Sequence, residues 1–284
     1  MINKLTTSNH DRQIAGLKYI YPVISRRAGG LSIGVNFNPN NACNWRCIYC
    51  QVPDLKPGNA PEMDVDLLAA ELRYFLDYVL NGDFFQAFNV EAAEHRIKDI
   101  AISGNGEPTS LKNLEQVINL IGAIACEFGL FPESKFVLIS NGSLLHQPAV
   151  QAGLRKLAHY QGELWFKLDS ATESGRKLIN NSGQSQNKLL ELLKIANQIC
   201  PTKLQTCMLH YRNETWSTSE KQAYLQFLRI LREADISLQK IMLYSLARPS
   251  QQPEANEILK VSQEEMAAFA NEISALGYDV SISV

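Results

Sequence analysis

The sequence lacks the features that mark membrane proteins, exported proteins and most nucleic-acid binders. None of its apolar runs approaches the roughly 20 residues that cross a bilayer, and residues 1–13 are polar, without the apolar core of a signal peptide. The net charge is only −2, so the totals indicate no basic field for nucleic acid. Short basic pairs such as Arg26–Arg27 are interpreted as solvated surface. We expect a cytoplasmic protein that enters no membrane, with RNA binding neither supported nor excluded.

Regularly spaced cysteine pairs are also lacking. A disulfide framework is unusual in a chain of 284 residues without an export signal. Of the six cysteines, three fall within eight residues, at Cys43, Cys47 and Cys50. The others are scattered over a predicted helix, a helix end and a strand, at Cys126, Cys200 and Cys207.

Compact apolar runs alternate with amphipathic helical patterns along most of the chain. The predicted strands lie at 33–37, 97–103, 136–140, 164–168, 204–209 and 241–246, with an edge strand at 280–284. Helices are expected at 68–79, from an N-cap at Ser110 to a stop at Gly129, and near 146–159, 186–199, 217–234 and 262–276. Residues 82–96, an insertion rich in phenylalanine, are expected to form a packed loop, with a lid as the alternative. Six strand–helix alternations with right-handed crossovers predict an α/β fold, a partial (β/α)6 TIM-like barrel with short terminal extensions.

This organisation predicts one domain over residues 1–284. Its core is expected at about 18–250, and residues 251–284 would add a helix and an edge strand. In parallel α/β folds the functional residues gather at the carboxyl ends of the strands. The unusual residues of this sequence follow the predicted strands in turn, which indicates that they share one site.

The cysteine motif reads Cys43-Asn-Trp-Arg-Cys47-Ile-Tyr-Cys50. Thiolates suit zinc and iron–sulfur clusters, and both structural zinc and an ordinary 4Fe–4S centre take four protein ligands. Three close thiolates without an obvious fourth leave one metal position free. The alternative is a zinc site whose distant fourth ligand is another cysteine or a histidine.

With Tyr49 directly before the last cysteine, the motif resembles the radical S-adenosylmethionine (SAM) superfamily. The resemblance implies a 4Fe–4S cluster on Cys43, Cys47 and Cys50, with SAM on the remaining iron and a 5′-deoxyadenosyl radical that removes hydrogen from a substrate. It places Tyr49 near the adenine, with shielding of the cluster as the alternative. It also implies an electron donor of the flavodoxin or ferredoxin type.

A glycine-containing loop follows the second predicted strand, at Gly104, Asn105, Gly106 and Glu107. Glycines let a backbone approach a ligand closely, and carbonyls accept hydrogen bonds from an ammonium group. In the resemblance this loop holds the methionyl amino group of SAM, with Glu107 adding negative charge; Asn105 stands where the superfamily has glycine. A plain glycine-rich turn is the alternative.

Further candidates follow the later strands. Ser140 and Asn141 carry groups that bond a ribose hydroxyl or a carboxylate, with a simple turn as the alternative. Lys167 and Asp169 share one face of a strand end, so they either contact SAM or substrate or pair with each other. Arg248, which follows the sixth predicted strand, is suited to grip a carboxylate or phosphate, with a surface ion pair as the alternative. We treat Lys167, Asp169 and Arg248 as catalytic candidates.

Within the superfamily, the sequence resembles the group related to the wyosine (tRNA imidazo-guanosine) synthases over about residues 18–255. The matching segments are 21–27, 32–36, Gln51, 243–249 and Glu254. Wyosine synthases carry a second cluster on cysteines upstream of the motif, whereas residues 1–42 contain none. The tRNA substrate is therefore not inherited from the resemblance.

The leading hypothesis is a single-cluster radical SAM enzyme with an unidentified substrate, and tRNA modification is one specific case. A glycyl-radical-type activating enzyme is the alternative within the class. A non-catalytic zinc-binding module that recognises RNA or protein is the alternative from another class.

Overall fold

A computed structural model describes residues 4–7, 15–212 and 216–284 of the chain. The strands are β1 (Ile20–Ser25), β2 (Gly30–Asn36), β3 (Ala42–Cys43), β4 (Lys56–Pro57), β5 (Ile97–Ser103), β6 (Lys135–Ser140), β7 (Glu163–Lys167), β8 (Thr202–Cys207), β9 (Leu209–Tyr211), β10 (Ile241–Tyr244), β11 (Ile258–Lys260) and β12 (Val280–Ser283). The helices are α1 (Val65–Asn81), α2 (Phe84–Ala87), α3 (Leu114–Glu127), α4 (Pro148–His159), α5 (Glu173–Asn180), α6 (Gln186–Ile199), α7 (Thr218–Glu233) and α8 (Gln263–Ser274).

One curled sheet of eight strands has the order β1-β2-β5-β6-β7-β8-β10-β12. Neighbours from β2 to β12 run parallel, and β1 pairs with β2 antiparallel. The six strands from β2 to β10 form the half-barrel, which confirms the predicted α/β partial barrel. The antiparallel β1 and the parallel β12 extend its two edges.

The strands of the half-barrel are buried because helices cover their outer face. All seven residues of β2 are buried, and the apolar faces of α1, α3 and α6 join the same core. Buried parallel strands read as near-continuous apolar runs, and the predicted segments therefore match the observed strands within a few residues.

One predicted helix start is wrong. Helix α3 begins at Leu114 with Asn113 as its N-cap. Ser110 instead lies in a short 3-10 turn that Pro108 begins. Its hydroxyl donates to the carbonyl of Glu107 at 2.6 Å and accepts from the backbone amide of Ala60 at 2.8 Å. The hydroxyl thus ties two loops together, which no local cap pattern reveals.

Residues 82–96 pack against α1, as expected for a packed loop. Phe84 is fully buried, with its ring centroid 5.5 Å from that of Phe75 and 4.8 Å from that of Phe88. No helix in the described part of the chain has the length and apolar character required to cross a membrane.

Candidate functional site

The three clustered cysteines lie on one loop at the carboxyl ends of the barrel strands. Cys43 ends β3, and Cys47 and Cys50 follow within the same loop. All three line a cavity of about 290 Å³. Residues that follow β5 and β6 also line it, as do residues of β7, β8 and β10. The convergence of strand ends predicted from the sequence is therefore present around this loop.

Cys47 is buried, Cys43 and Cys50 are partly buried, and the sulfur atoms of Cys43 and Cys47 receive hydrogen bonds. The backbone amide of Trp45 lies 3.4 Å from Sγ of Cys43, and the side-chain amide of Asn180 lies 3.3 Å from Sγ of Cys47. Burial raises the pKa of the Cys43 thiol to about 12. Buried thiols of this kind become thiolates when a metal replaces their protons. Hydrogen bonds to sulfur are one way in which proteins tune iron–sulfur clusters.

The other cysteines lie elsewhere. Cys126 is exposed on α3, Cys200 is buried at the end of α6, and Cys207 is buried at the end of β8. Within residues 4–7, 15–212 and 216–284, no group of three or more His, Cys, Asp or Glu side chains is placed to hold a single metal ion. In an iron–sulfur cubane each thiolate binds a different iron, so its ligands do not converge on one ion.

The glycine-containing loop packs tightly against the chain that leads into the cysteines. A Cβ atom on Gly106 would lie 1.9 Å from the carbonyl oxygen of Ala42, and one on Gly104 would lie 2.3 Å from Oδ1 of Asn36. Gly104 also has a φ of +146°, which favours glycine. These two glycines therefore set the distance between the two loops.

Asn105 lies between these glycines and lines the cavity. Its side-chain Nδ2 donates to Oδ1 of Asn41 at 2.6 Å. Its own Oδ1 atom is buried and has no hydrogen-bond partner in the structure. An acceptor without a partner at this position suits a ligand that donates, such as an ammonium group.

The carboxylate of Glu107 joins the ends of β5 and β6. It accepts from the hydroxyl of Thr109 at 2.6 Å, the hydroxyl of Ser140 at 2.7 Å and the backbone amide of Asn141 at 2.8 Å. The residue is 2% exposed, and burial raises the pKa of Glu107 although these hydrogen bonds lower it. Four donated hydrogen bonds, counting the amide of Thr109, stabilise the ionised form of this carboxyl group.

Ser140 and Asn141 are engaged with the protein. The Ser140 hydroxyl also accepts from the amide of Gly142 at 2.9 Å, and Nδ2 of Asn141 donates to Oδ1 of Asn44 at 2.9 Å. Asn141 lines the cavity, whereas Ser140 is not among its lining residues. This geometry connects the β6 end to the cysteine loop through Asn44.

Asp169 is buried behind Tyr49 rather than among the cavity-lining residues. Its Oδ2 accepts from the Tyr49 hydroxyl and, at 2.6 Å, from the side chain of Asn180; its Oδ1 accepts from the amide of Cys207 at 2.9 Å. Tyr49 lines the cavity, and burial raises its pKa. Asp169 thus fixes the orientation of an aromatic wall of the site.

Lys167 is partly buried and lines the cavity. Its Nζ lies 4.8 Å from the centroid of the Tyr49 ring, a cation–π distance. Burial lowers the pKa of Lys167, but nearby groups that become anionic, Cys47 first, outweigh burial and raise it well above the usual value. Among the described residues no ion pair joins it to Asp169, so the predicted pairing of these two is absent.

Arg248 begins a segment that fastens the cysteine loop. Its guanidinium donates to the side chain of Gln51, whose own amide donates to the carbonyl of Arg248 at 3.0 Å. Further on, Ser250 donates to the carbonyl of Ile48 at 2.7 Å. We call residues 248–254 the clamp segment.

The clamp segment ends on an ion pair. Glu254 accepts from both terminal nitrogens of Arg46 at 2.8 Å. Arg46 lies between the first two cysteines, so both ends of the cysteine loop are fastened by the same later segment. Arg248 lines the cavity at one end of it.

Several cavity-lining residues were not predicted from the sequence. They come from the barrel interior and from the turn after β1, namely Arg26, Arg27, Asp99, Trp165, Gln205 and Tyr244. Asp99 accepts a hydrogen bond from Ser32, and burial raises the pKa of Asp99 to about 6. A polar side chain inside the predicted strand 204–209 is the sequence signal that could have indicated Gln205.

Comparisons with known sequences give distant relatives. No protein-family model matches the chain. Two Helicobacter pylori proteins, both called UPF0026 protein, are 26% and 27% identical over 224 and 233 residues, or 78% and 81% of this chain. The alignments cover 65% and 66% of those proteins, so the chain spans just under two thirds of the length of these curated relatives.

Solved structures share the fold. A radical SAM methyltransferase from Sphaerobacter thermophilus has a TM-score of 0.56 at 13% identity, over 89% of this chain and 66% of that one. TYW1 with a lysine-pyruvate adduct bound has a TM-score of 0.53 at 17% identity, over 87% of this chain and 74% of that one.

The chain therefore shares the fold of these radical SAM structures, which is the fold that the resemblance of the cysteine motif implied. One of them, TYW1, is a wyosine synthase.

Proposed function

We propose that the protein is a radical SAM enzyme whose cluster is held by Cys43, Cys47 and Cys50. The observation that carries this proposal is the convergence, in one cavity, of these three cysteines with the acceptor of Asn105 and the carboxylate of Glu107. When bound, a 4Fe–4S cluster and SAM supply a 5′-deoxyadenosyl radical, which removes a hydrogen atom from a substrate. The protein's own residues must bind, orient and enclose these groups.

The glycine-containing loop is suited to the amino group of SAM. The partnerless Oδ1 of Asn105 would accept one hydrogen bond, and Glu107 would add a negative charge near an ammonium group. Because Gly104 and Gly106 hold this loop against the residues before Cys43, the two binding regions would keep a fixed separation.

Tyr49 and Lys167 form a second wall of the same site. Asp169 and Asn180 hold the Tyr49 ring in place behind the cavity, so Asp169 would act as a positioning residue. Lys167 presents a positive charge to the cavity and would attract an anionic group of SAM or substrate.

The proposal also covers the electron donor and the class of substrate. A flavodoxin- or ferredoxin-type protein would supply the electron, because this chemistry starts from a reduced cluster. tRNA modification is one specific case of this proposal. Residues 1–42 supply no cysteine for a second cluster of the wyosine-synthase kind.

Anaerobic reconstitution with iron and sulfide tests the proposal. We expect about four irons per chain, an absorbance band that dithionite bleaches, and release of 5′-deoxyadenosine from SAM, measured by chromatography. A chain that binds one zinc ion, takes up no cluster and leaves SAM intact would instead support the zinc-binding module.

A further inference from the structure

Two arginines cross the open side of the half-barrel. Arg26 and Arg27 lie in the turn between β1 and β2, at one edge of the sheet order. Arg26 donates to the carbonyl of Ser245, just after β10, at 3.3 Å. The guanidinium carbon of Arg27 lies 5.1 Å from the Tyr244 ring centroid and 5.8 Å from that of Trp165. The basic pair interpreted as solvated surface therefore lines the cavity.

The part of the cavity around Arg26 and Arg27 carries excess positive charge. No carboxylate of the described residues lies within 4.0 Å of either guanidinium. Lys203 is neutralised by Glu163 at 2.6 Å. Asp99, which lines the same cavity, is hydrogen-bonded to Ser32 and supplies one negative charge against the two arginines. Burial and the like charge of Arg27 both lower the pKa of Arg26, as expected for cations without a close counter-charge.

A buried hydrogen-bond donor, the side-chain amide of Gln205, lines the same cavity as the two arginines. Gln205 lies in β8, in register with Lys167 on one side and Met242 on the other. Its side chain lines the cavity, the residue is 1% exposed, and its Nε2 has no hydrogen-bond partner. An unsatisfied buried donor destabilises the free protein, and an acceptor on a ligand removes that penalty.

We propose that Arg26, Arg27 and Gln205 form a subsite for an oxyanion, a carboxylate or phosphate, of the substrate. The inference rests on the proposed function, because it places this anion in the same cavity that the cysteines line. The rings of Trp165 and Tyr244 hold the guanidinium of Arg27 by cation–π contacts and form an aromatic wall beside the anion. Guanidinium and amide donors match the acceptor geometry of both anions.

Equilibrium dialysis of the reconstituted holoenzyme with radiolabelled phosphate, and separately with acetate, tests the subsite. S-adenosylhomocysteine is added at saturation so that anions cannot enter the SAM position. We expect one site for at least one of the two anions. The variant Arg27→Gln should weaken this binding about tenfold or more, since it removes charge-assisted hydrogen bonds.

Two further variants keep the test decisive. Gln205→Met should weaken anion binding without lowering the Tm, because no protein group accepts from the amide that it removes. Arg155→Gln, an equal charge change at an exposed position of α4, should leave binding unchanged.

Binding of phosphate alone would identify a phosphorylated substrate, and binding of acetate alone a carboxylic acid. The subsite is overturned if neither anion binds in the presence of S-adenosylhomocysteine, or if Arg27→Gln binds the anion as well as the unaltered protein does. Since the assay needs no SAM cleavage, a protein that cleaves SAM but binds no anion refutes the subsite alone. A protein that binds the anion but never cleaves SAM refutes the proposed function alone.

Discussion

The side-chain amide of Asn180 donates to Sγ of Cys47 at 3.3 Å, across 133 positions of sequence. The same nitrogen lies 2.6 Å from Oδ2 of Asp169, the carboxylate that also holds the Tyr49 hydroxyl. Asn180 is the last residue of α5, a helix whose end lies against the cysteine loop. One buried amide therefore links a proposed cluster ligand to the residue that orients the aromatic wall.

Replacing Asn180 with alanine should lower the midpoint potential of the reconstituted cluster. A hydrogen bond to sulfur stabilises the reduced, more negative cluster. Loss of about 1 kcal/mol corresponds to ~40 mV for one electron. A redox titration followed by electron paramagnetic resonance measures the change. Asn81→Ala, at the exposed end of α1, is the matched control, and equal potentials in the two variants would contradict the role given to Asn180.

Each of Cys43→Ala, Cys47→Ala and Cys50→Ala should abolish SAM cleavage, because a cluster with only two protein thiolates is not held. Cys126→Ala removes an exposed thiol of α3 and should leave cleavage unchanged. Iron content and 5′-deoxyadenosine release are measured on the same samples. Full turnover in any of the first three variants would show that the ligand assignment is wrong.

Gly106→Ala should displace the glycine-containing loop from the cysteine loop. The added Cβ would meet the backbone oxygen of Ala42 at 1.9 Å, and overpacking of this kind costs roughly 1–3 kcal/mol. We expect a lower Tm and weaker SAM binding. Gly183→Ala is the control, since a Cβ there meets nothing within 4 Å. If both variants behave alike, the close approach of the two loops has no consequence for the site.

Asp99→Asn should stabilise the protein at neutral and higher pH. Burial raises the pKa of Asp99 from 3.8 to about 6, so the folded chain binds the proton more tightly than the unfolded chain does. The resulting cost to folding is absent below pH 3.8, grows as the pH rises to about 6, and stays at roughly 3 kcal/mol above it.

Calorimetric Tm values at pH 8 and pH 5 measure this effect. The gain of Asp99→Asn over the unaltered protein should be larger at pH 8 than at pH 5. Asp77→Asn, at an exposed position of α1, is the matched control and is measured at the same two pH values. A gain that is the same at both pH values would mean that ionised Asp99 carries no folding cost.

The half-barrel and the cysteine loop could be predicted from the sequence because their signals are local. A strand buried on both faces reads as an apolar run, and three cysteines within eight residues are visible without any knowledge of the fold. Strand β1 was not predicted from the sequence. It contains Pro22, and proline within a strand is tolerated at the edge of a sheet. In the structure β1 is the antiparallel partner of β2.

Other site residues carry no local signal. Arg26–Arg27 looks like any basic surface pair until the sheet curls and brings Ser245 within reach. Asn180 ends a short helix of eight residues that no apolar stripe marks. Their contacts join segments far apart in sequence, so only the assembled barrel reveals them.

The clamp segment has a consequence for biosynthesis. The carbonyl of Ile48 is bonded by Ser250, 202 positions later, and the guanidinium of Arg46 by Glu254, 208 positions later. When the cysteines leave the ribosome, the residues that fix their loop have not yet been translated. The cysteine loop therefore reaches its final shape only after residues 248–254 have been synthesised, and iron insertion into a correctly shaped loop has to wait for that segment.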